Sequence, residues 1–137
     1  AIPRQGFTVR PLLRSKGRTV ADQLLHLHRT RLSWLAWSTK QKMPKLPQIK
    51  GAKITRADLK RSFKASDRLI RDFLTSALRG ETAPRSFRRN PVRFATYLIM
   101  HESHHRGQIM LALKQNGIKI PQTLAAQALW GRWIWGK

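Results

Sequence analysis

At 137 residues and 41% apolar side chains, the chain is long enough to bury the core of one domain and too apolar to stay disordered. It has no cysteine, which excludes disulfides and thiolate metal sites, and no apolar run long enough to span a bilayer or signal-type start. Its 28 Lys and Arg against 6 Asp and Glu give a formal charge of +22, which draws polyanions to the surface non-specifically.

A reducing cytoplasm is the expected location. No Met opens the chain, so the numbering is expected to start inside the natural sequence or after processing. The basic residues are scattered from Arg4 to Lys137 rather than gathered in one tail. A generally basic, solvated exterior and a nucleic-acid surface are therefore both open, as is attraction to an anionic membrane surface or an acidic small substrate.

Residues 1–17 carry Pro3, Gly6, Pro11 and Gly17 and read as an irregular arm that packs Phe7, Val9 and Leu12 onto the helical body. Thr19 is a good N-cap, and the spacing predicts a helix over 19–42, stopped before Pro44. Its apolar positions (Val20, Leu24, Leu25, Leu27, Leu32, Trp34, Leu35, Trp37) cover a wide arc, so this helix is buried on more than one side. Residues 44–53, with two prolines and a glycine among lysines, suit a crossover better than a tight turn.

A second helix is expected over 55–79. Thr55 and Asp58 form a capping-box pattern, Leu59, Phe63, Ile70, Phe73, Leu74 and Leu78 form the inner stripe, and Gly80 is the stop. Lys60, Lys64, Arg68 and Arg71 make a basic outer ridge. After an Arg-rich loop, Asn90-Pro91 supplies an N-cap followed by proline at the first helical position. The third helix should run over 91–116, capped by Gly117. Leu124, Leu129, Trp130, Trp133, Ile134 and Trp135 suggest a last short helix over 122–135. Five tryptophans point to core or a subunit interface, hence a homodimer, more readily than to base stacking.

The five histidines fall in two clusters, and these organise any functional reading. His101 and His105 are four apart in the third helix and share a face, as two imidazoles gripping one divalent metal must. Gln108 continues that stripe and can hydrogen-bond within the site. Glu102 is the acid beside it, a candidate partner or base whose helix angle favours a salt bridge with Arg106 instead. His104 turns away from the ligand stripe, toward the surface or the outer side of the site. On the first helix the wheel places His28 within the Leu24, Leu32 and Leu35 stripe, with His26 on its flank. Paired acid–base carboxylates, a glycine-rich phosphate loop and a cysteine nucleophile are all missing, and Ser103 has no oriented partner in sequence.

The block His101-Glu-Ser-His-His105-Arg-Gly-Gln-Ile109, closing with Leu113-Lys-Gln-Asn-Gly117-Ile-Lys-Ile-Pro121, resembles the last bundle helix of the DinB/YfiT-like superfamily. Thr19-Val-Ala-Asp-Gln-Leu-Leu-His26 is similar to that family's other ligand helix. The resemblance covers roughly residues 18–121 in order. It implies an all-α four-helix bundle with a crossover connection and a metal held by His26, His101 and His105, water completing the sphere. It thus favours His26 where the wheel favours His28.

The family normally has a full helix before the first ligand helix. The chain leaves no room for one, so that helix is expected to be lost, upstream, or supplied by another subunit. Imidazole ligands suit zinc, nickel or iron. The resemblance further implies a metal-dependent hydrolase, or a transferase that uses a low-molecular-weight thiol. The alternative expectation is a non-enzymatic, basic nucleic-acid-associated or stress-response module with a structural or vestigial metal.

Overall fold

A computed structural model of the chain describes residues 2–12, 17–40, 54–126, 131 and 134. Its described regular structure is entirely helical: a short turn at Arg4–Phe7, then α1 (Val20–Thr39), α2 (Arg56–Leu78), a single turn at Phe87–Arg89, α3 (Pro91–Gln115) and the five-residue α4 (Gln122–Ala126). Among the described residues there are three long helices rather than four. The expected crossover at 44–53 lies outside the described residues, as does most of the 127–137 stretch that carries Trp130, Trp133 and Trp135.

Each long helix begins where a side chain can satisfy the free N–H groups of a first turn. Thr19 Oγ1 accepts from the Asp22 N–H at 3.1 Å and donates to the Asp22 carboxylate at 2.7 Å. Thr55 and Asp58 form a reciprocal capping box. Asn90 Oδ1 accepts from the N–H groups of Val92 and Arg93, with Pro91 placed where no donor is needed.

Two helices end on a glycine in the left-handed region, Gly80 at φ 79° and Gly117 at φ 70°. In α3 the Ile118 N–H reaches back to the Leu113 carbonyl at 2.9 Å, and in α2 the Glu81 N–H reaches the Ser76 carbonyl at 3.1 Å, so the last carbonyls are paired. α1 stops at Thr39 with Lys40 left-handed at φ 59°.

α1 packs against both α2 and α3 and so forms the centre of the assembly. Two apolar clusters line the α1–α3 seam. At one end Val20 meets Ile109, Ala112 and Leu113, with Ile2, Val9, Leu24, Ile118 and Ile120 around them. At the other, Phe73, Phe94 and Leu98 pack with Trp34, Leu35, Tyr97 and Phe87. The early residues of α1 therefore face the late residues of α3, and the two helices run antiparallel. His26 on one and His101 and His105 on the other fall between the two clusters.

The N-terminal arm is tied to the bundle as a strap. The Val20 N–H donates to the Val9 carbonyl, and Asn116 and Gln115 of α3 bond the backbone of Arg10 and Leu12. Arg56 bonds the Ile2 carbonyl and lies 6.0 Å from the Phe7 ring centre. Val9 joins the core and Phe7 is half-buried, but Leu12 is 66% exposed, because its N–H is the part that docks.

The inner stripe of α2 also differs from its expected form. Leu59, Ser62, Ser66, Phe73 and Ala77 are the buried positions, whereas Leu78 is 65% exposed. Small side chains occupy the seam against α1, and Leu78 falls one step beyond the Phe73–Ala77 row.

The loop into α3 takes an unusual path. Phe87, Arg88 and Arg89 all have positive φ, at 56°, 53° and 60°. For non-glycine residues this conformation costs roughly 1–2 kcal/mol each. It is held by the Phe87 ring, which sits 5.0 Å from Trp34, 5.2 Å from Phe94 and 5.3 Å from Tyr97. Trp34 adds a hydrogen bond from Nε1 to the Tyr97 hydroxyl at 3.0 Å.

Candidate metal centre

The structure brings together His26 of α1 with His101 and His105 of α3. Their ring centres are 5.2, 4.7 and 4.7 Å apart, and each offers a ring nitrogen within 4.8 Å of the other two. His105 is buried at 6% exposure, while His26 and His101 are half-buried and form the open side. The donor chemistry and reach of the three rings test the fit to a metal ion. Metal–imidazole bonds of about 2.0–2.1 Å in a tetrahedron place ligand nitrogens roughly 3.4 Å apart. Modest ring rotations therefore close the set, and three neutral nitrogen donors suit a divalent ion.

Burial and mutual proximity keep the rings neutral. His105 is pushed down to about 4 by burial first, then by the charges of His101 and His26, with His104 and Arg18 adding to it. His26 is lowered by burial, then by Arg18, His101 and Arg29. His101 is lowered by burial, with His104 and Arg18 acting in the same sense and Glu102 opposing them. A neutral imidazole offers a lone pair, the form a metal requires.

Orientation comes from neighbours on both helices. His105 Nδ1–H donates at 3.3 Å to Oε1 of Gln23, a side chain only 2% exposed. That bond selects the tautomer with the lone pair on Nε2. Tyr97 stacks on His101 at 5.7 Å with the rings 20° from parallel, carrying the aromatic cluster up to the site. Arg31 of α1 grips both oxygens of Glu102, at 2.6 and 2.8 Å, which fixes the rotation of α3 next to His101.

The other sequence candidates lie elsewhere. His28 is buried at 2% exposure on the face of α1 that meets α2, 6.5 Å from the Phe63 ring, with no hydrogen-bond partner for its Nδ1. The wheel found a true buried face, but it is the α2 seam. Because α1 is covered on two sides, inwardness alone does not select the ligand. Glu102 is engaged by Arg31 across the bundle, a partner that the sequence spacing did not indicate. Gln108 is exposed, and its amide nitrogen lies 2.8 Å from Nε2 of His104, which is also exposed.

The DinB family model matches residues 1–135, nearly the whole chain. The chain belongs to the DinB family. No curated protein and no solved structure matches it significantly. Within this DinB-family chain, Gln23, Arg31 and Tyr97 are the supporting residues that the sequence pattern did not single out. A glutamine set in the apolar arc of α1, three residues before His26, was the one available signal.

Two outcomes are expected at the site. Gln23→Leu should weaken zinc binding about 10–100-fold with helicity unchanged, measured by competition with a chromophoric chelator and by circular dichroism. Metal-free protein is expected to lose thermal stability as pH falls from 6.5 towards 4. Unfolded, the three rings take up protons near 6.5, whereas the fold refuses them, His105 until about 4. The contribution is therefore complete above pH 6.5 and lost through that window. A chelator-treated His105→Gln variant should show a flatter Tm profile there.

Proposed function

We propose that this DinB-family protein is a metal-dependent hydrolase, or a transferase acting on a low-molecular-weight thiol, with its ion held by His26, His101 and His105. The observation that carries this reading is the convergence of three neutral imidazoles from two helices, with no fourth His, Cys, Asp or Glu grouped with them among the described residues. Three protein ligands and a free position are the arrangement of reactive sites rather than closed structural ones. Zinc, nickel or iron bound there supplies a Lewis acid that brings the pKa of a coordinated water or thiol towards neutrality.

The chain's own groups set the surroundings of that position. Gln23 holds His105, Tyr97 backs His101, and the half-buried rings of His26 and His101 leave an approach from solvent. Glu102 does not serve as a free base, since Arg31 takes both of its oxygens.

Elemental analysis of purified protein is expected to find one divalent ion per chain. His26→Ala, His101→Ala and His105→Ala should each remove it. His28→Ala should retain the ion while losing stability, since it vacates the α1–α2 seam. Full metal retention in both His101→Ala and His105→Ala would end this reading.

The exposed ridge of Lys60, Arg61, Lys64, Arg68 and Arg71 on α2 supports a second reading, a non-enzymatic nucleic-acid-associated or stress-response module with a structural or vestigial ion. Duplex DNA binding measured between about 50 and about 200 mM salt separates the two. Sequence-independent binding that collapses over this range reflects charge alone, whereas binding that survives favours the module.

A further inference from the structure

We propose that the groove between α2 and α3 docks an acidic amphipathic helix of another protein, at a surface independent of the proposed metal site. The two helices run antiparallel. Phe73 meets Phe94 with ring centres 5.6 Å apart, and about two turns further along Arg31 bridges Ser66 and Glu102. Between them lies an open cavity of about 390 Å³. Leu98 is buried in it and Ile70 and Leu74 are half-buried, while Arg31 reaches in from α1. Leu78 and Ile99 line the same cavity and yet are 65% and 66% exposed. Val92, one α3 heptad before Ile99, and Met100 beside it continue the exposed apolar band at 59% and 66%. Large apolar side chains left in water along a recess mark a surface that a partner covers.

The shape of the recess favours a helix. Its α2 wall runs from Asp67 to Leu78, three turns or roughly 17 Å. A helix laid along it offers apolar anchors at i, i+4 and i+7 and adds a fourth member to the bundle, against the two helices that flank α1. A flat surface such as a bilayer touches Leu78 and Ile99 but leaves Leu74 and Leu98 uncovered.

Charge sets the chemistry of that helix. The stretch from Arg79 to Arg93 adjoins the Leu78 end of the groove and holds five arginines against one acid, Glu81. Arg79 follows Leu78, Arg93 follows Val92, and both are exposed, as is Arg89. The opposite end is close to balanced: Glu102 is held by Arg31, and Arg71 lies 3.9 Å from Asp72, with Asp67 nearby. A complementary helix therefore carries Asp or Glu beside its apolar anchors, above all at the Leu78 end. A second copy of this chain does not supply them. Its formal charge is +22, so copies repel, and α1 and α3 contain one acid each, Asp22 and Glu102, both already engaged.

Fluorescence anisotropy with the full chain tests this. The ligand is a labelled helical peptide of about 18 residues, long enough to span the groove, with leucines at i, i+4 and i+7 and glutamates beside them. A scrambled isomer has the same charge and no apolar face. The amphipathic peptide is expected to bind with a micromolar Kd, and the isomer at least about tenfold more weakly. Leu78→Ser and Ile99→Ser change exposed side chains, so circular dichroism should stay the same while each weakens binding about tenfold. Arg93→Glu should weaken it about threefold and flatten its salt dependence. Leu111→Ser, at a 52% exposed position near the other end of α3, should leave binding in place.

Absence of binding by the amphipathic peptide overturns the proposal. Equal binding of the scrambled isomer, or an equal loss in Leu111→Ser, means diffuse attraction and overturns it as well. A dimer seen by analytical ultracentrifugation that Ile99→Ser dissociates assigns the groove to a second copy instead. Tighter binding to phosphatidylcholine vesicles containing phosphatidylserine, with the same dependence on Leu78 and Ile99, assigns it to a lipid surface and likewise ends the proposal.

Discussion

One guanidinium joins the three long helices. Arg31 extends from α1, closes on both oxygens of Glu102 in α3, reaches Ser66 Oγ of α2 at 3.5 Å and lies 5.2 Å from the Phe63 ring centre. Its side chain is 15% exposed and that of Glu102 is 32% exposed, so the pair is partly withdrawn from water. The net stabilisation from such a pair is modest, because desolvation offsets much of the attraction. Its larger effect is geometric. A two-pronged contact sets the rotation of α3 about its own axis, and His101, the residue before Glu102, takes its direction from that rotation.

The surrounding architecture keeps three mutually repelling bases close together. Apolar clusters flank the triad along the α1–α3 seam, and the partial burial of the rings disfavours their charged forms. Repulsion among charged imidazoles then reinforces their neutrality. Three neutral imidazoles gathered in a half-buried seam are positioned to hold a cation. The fold and the proposed chemistry draw on the same desolvation.

Much of this was legible in the sequence because the signals are local. Thr19, Thr55 and Asn90-Pro91 start helices through bonds spanning two or three residues, and Gly80 and Gly117 end them through φ angles that other residues avoid. The His101 and His105 pair follows from helical pitch alone. What the pattern concealed depends on which helix faces which. A periodicity wheel treats burial as one direction, but α1 has two buried sides, so His28 scored as inward while belonging to the α2 seam. Glu102 is gripped by Arg31, seventy-one residues away, a contact that tertiary packing creates and local spacing does not reveal. Ser62 and Ser66 are buried because a close helix crossing needs small residues, a demand that hydropathy does not register.

The left-handed path of Phe87, Arg88 and Arg89 bears on the site from a distance. Three adjacent residues stay in a disfavoured conformation only while the Phe87 ring remains seated against Trp34, Phe94 and Tyr97. Tyr97 in turn is the plate on which His101 rests. Unseating that one ring would remove the contact that holds this path and, with it, a contact of the Tyr97 ring that supports His101. The connection between α2 and α3 is thus packed, through the Phe87 and Tyr97 rings, against the same aromatic group that supports His101.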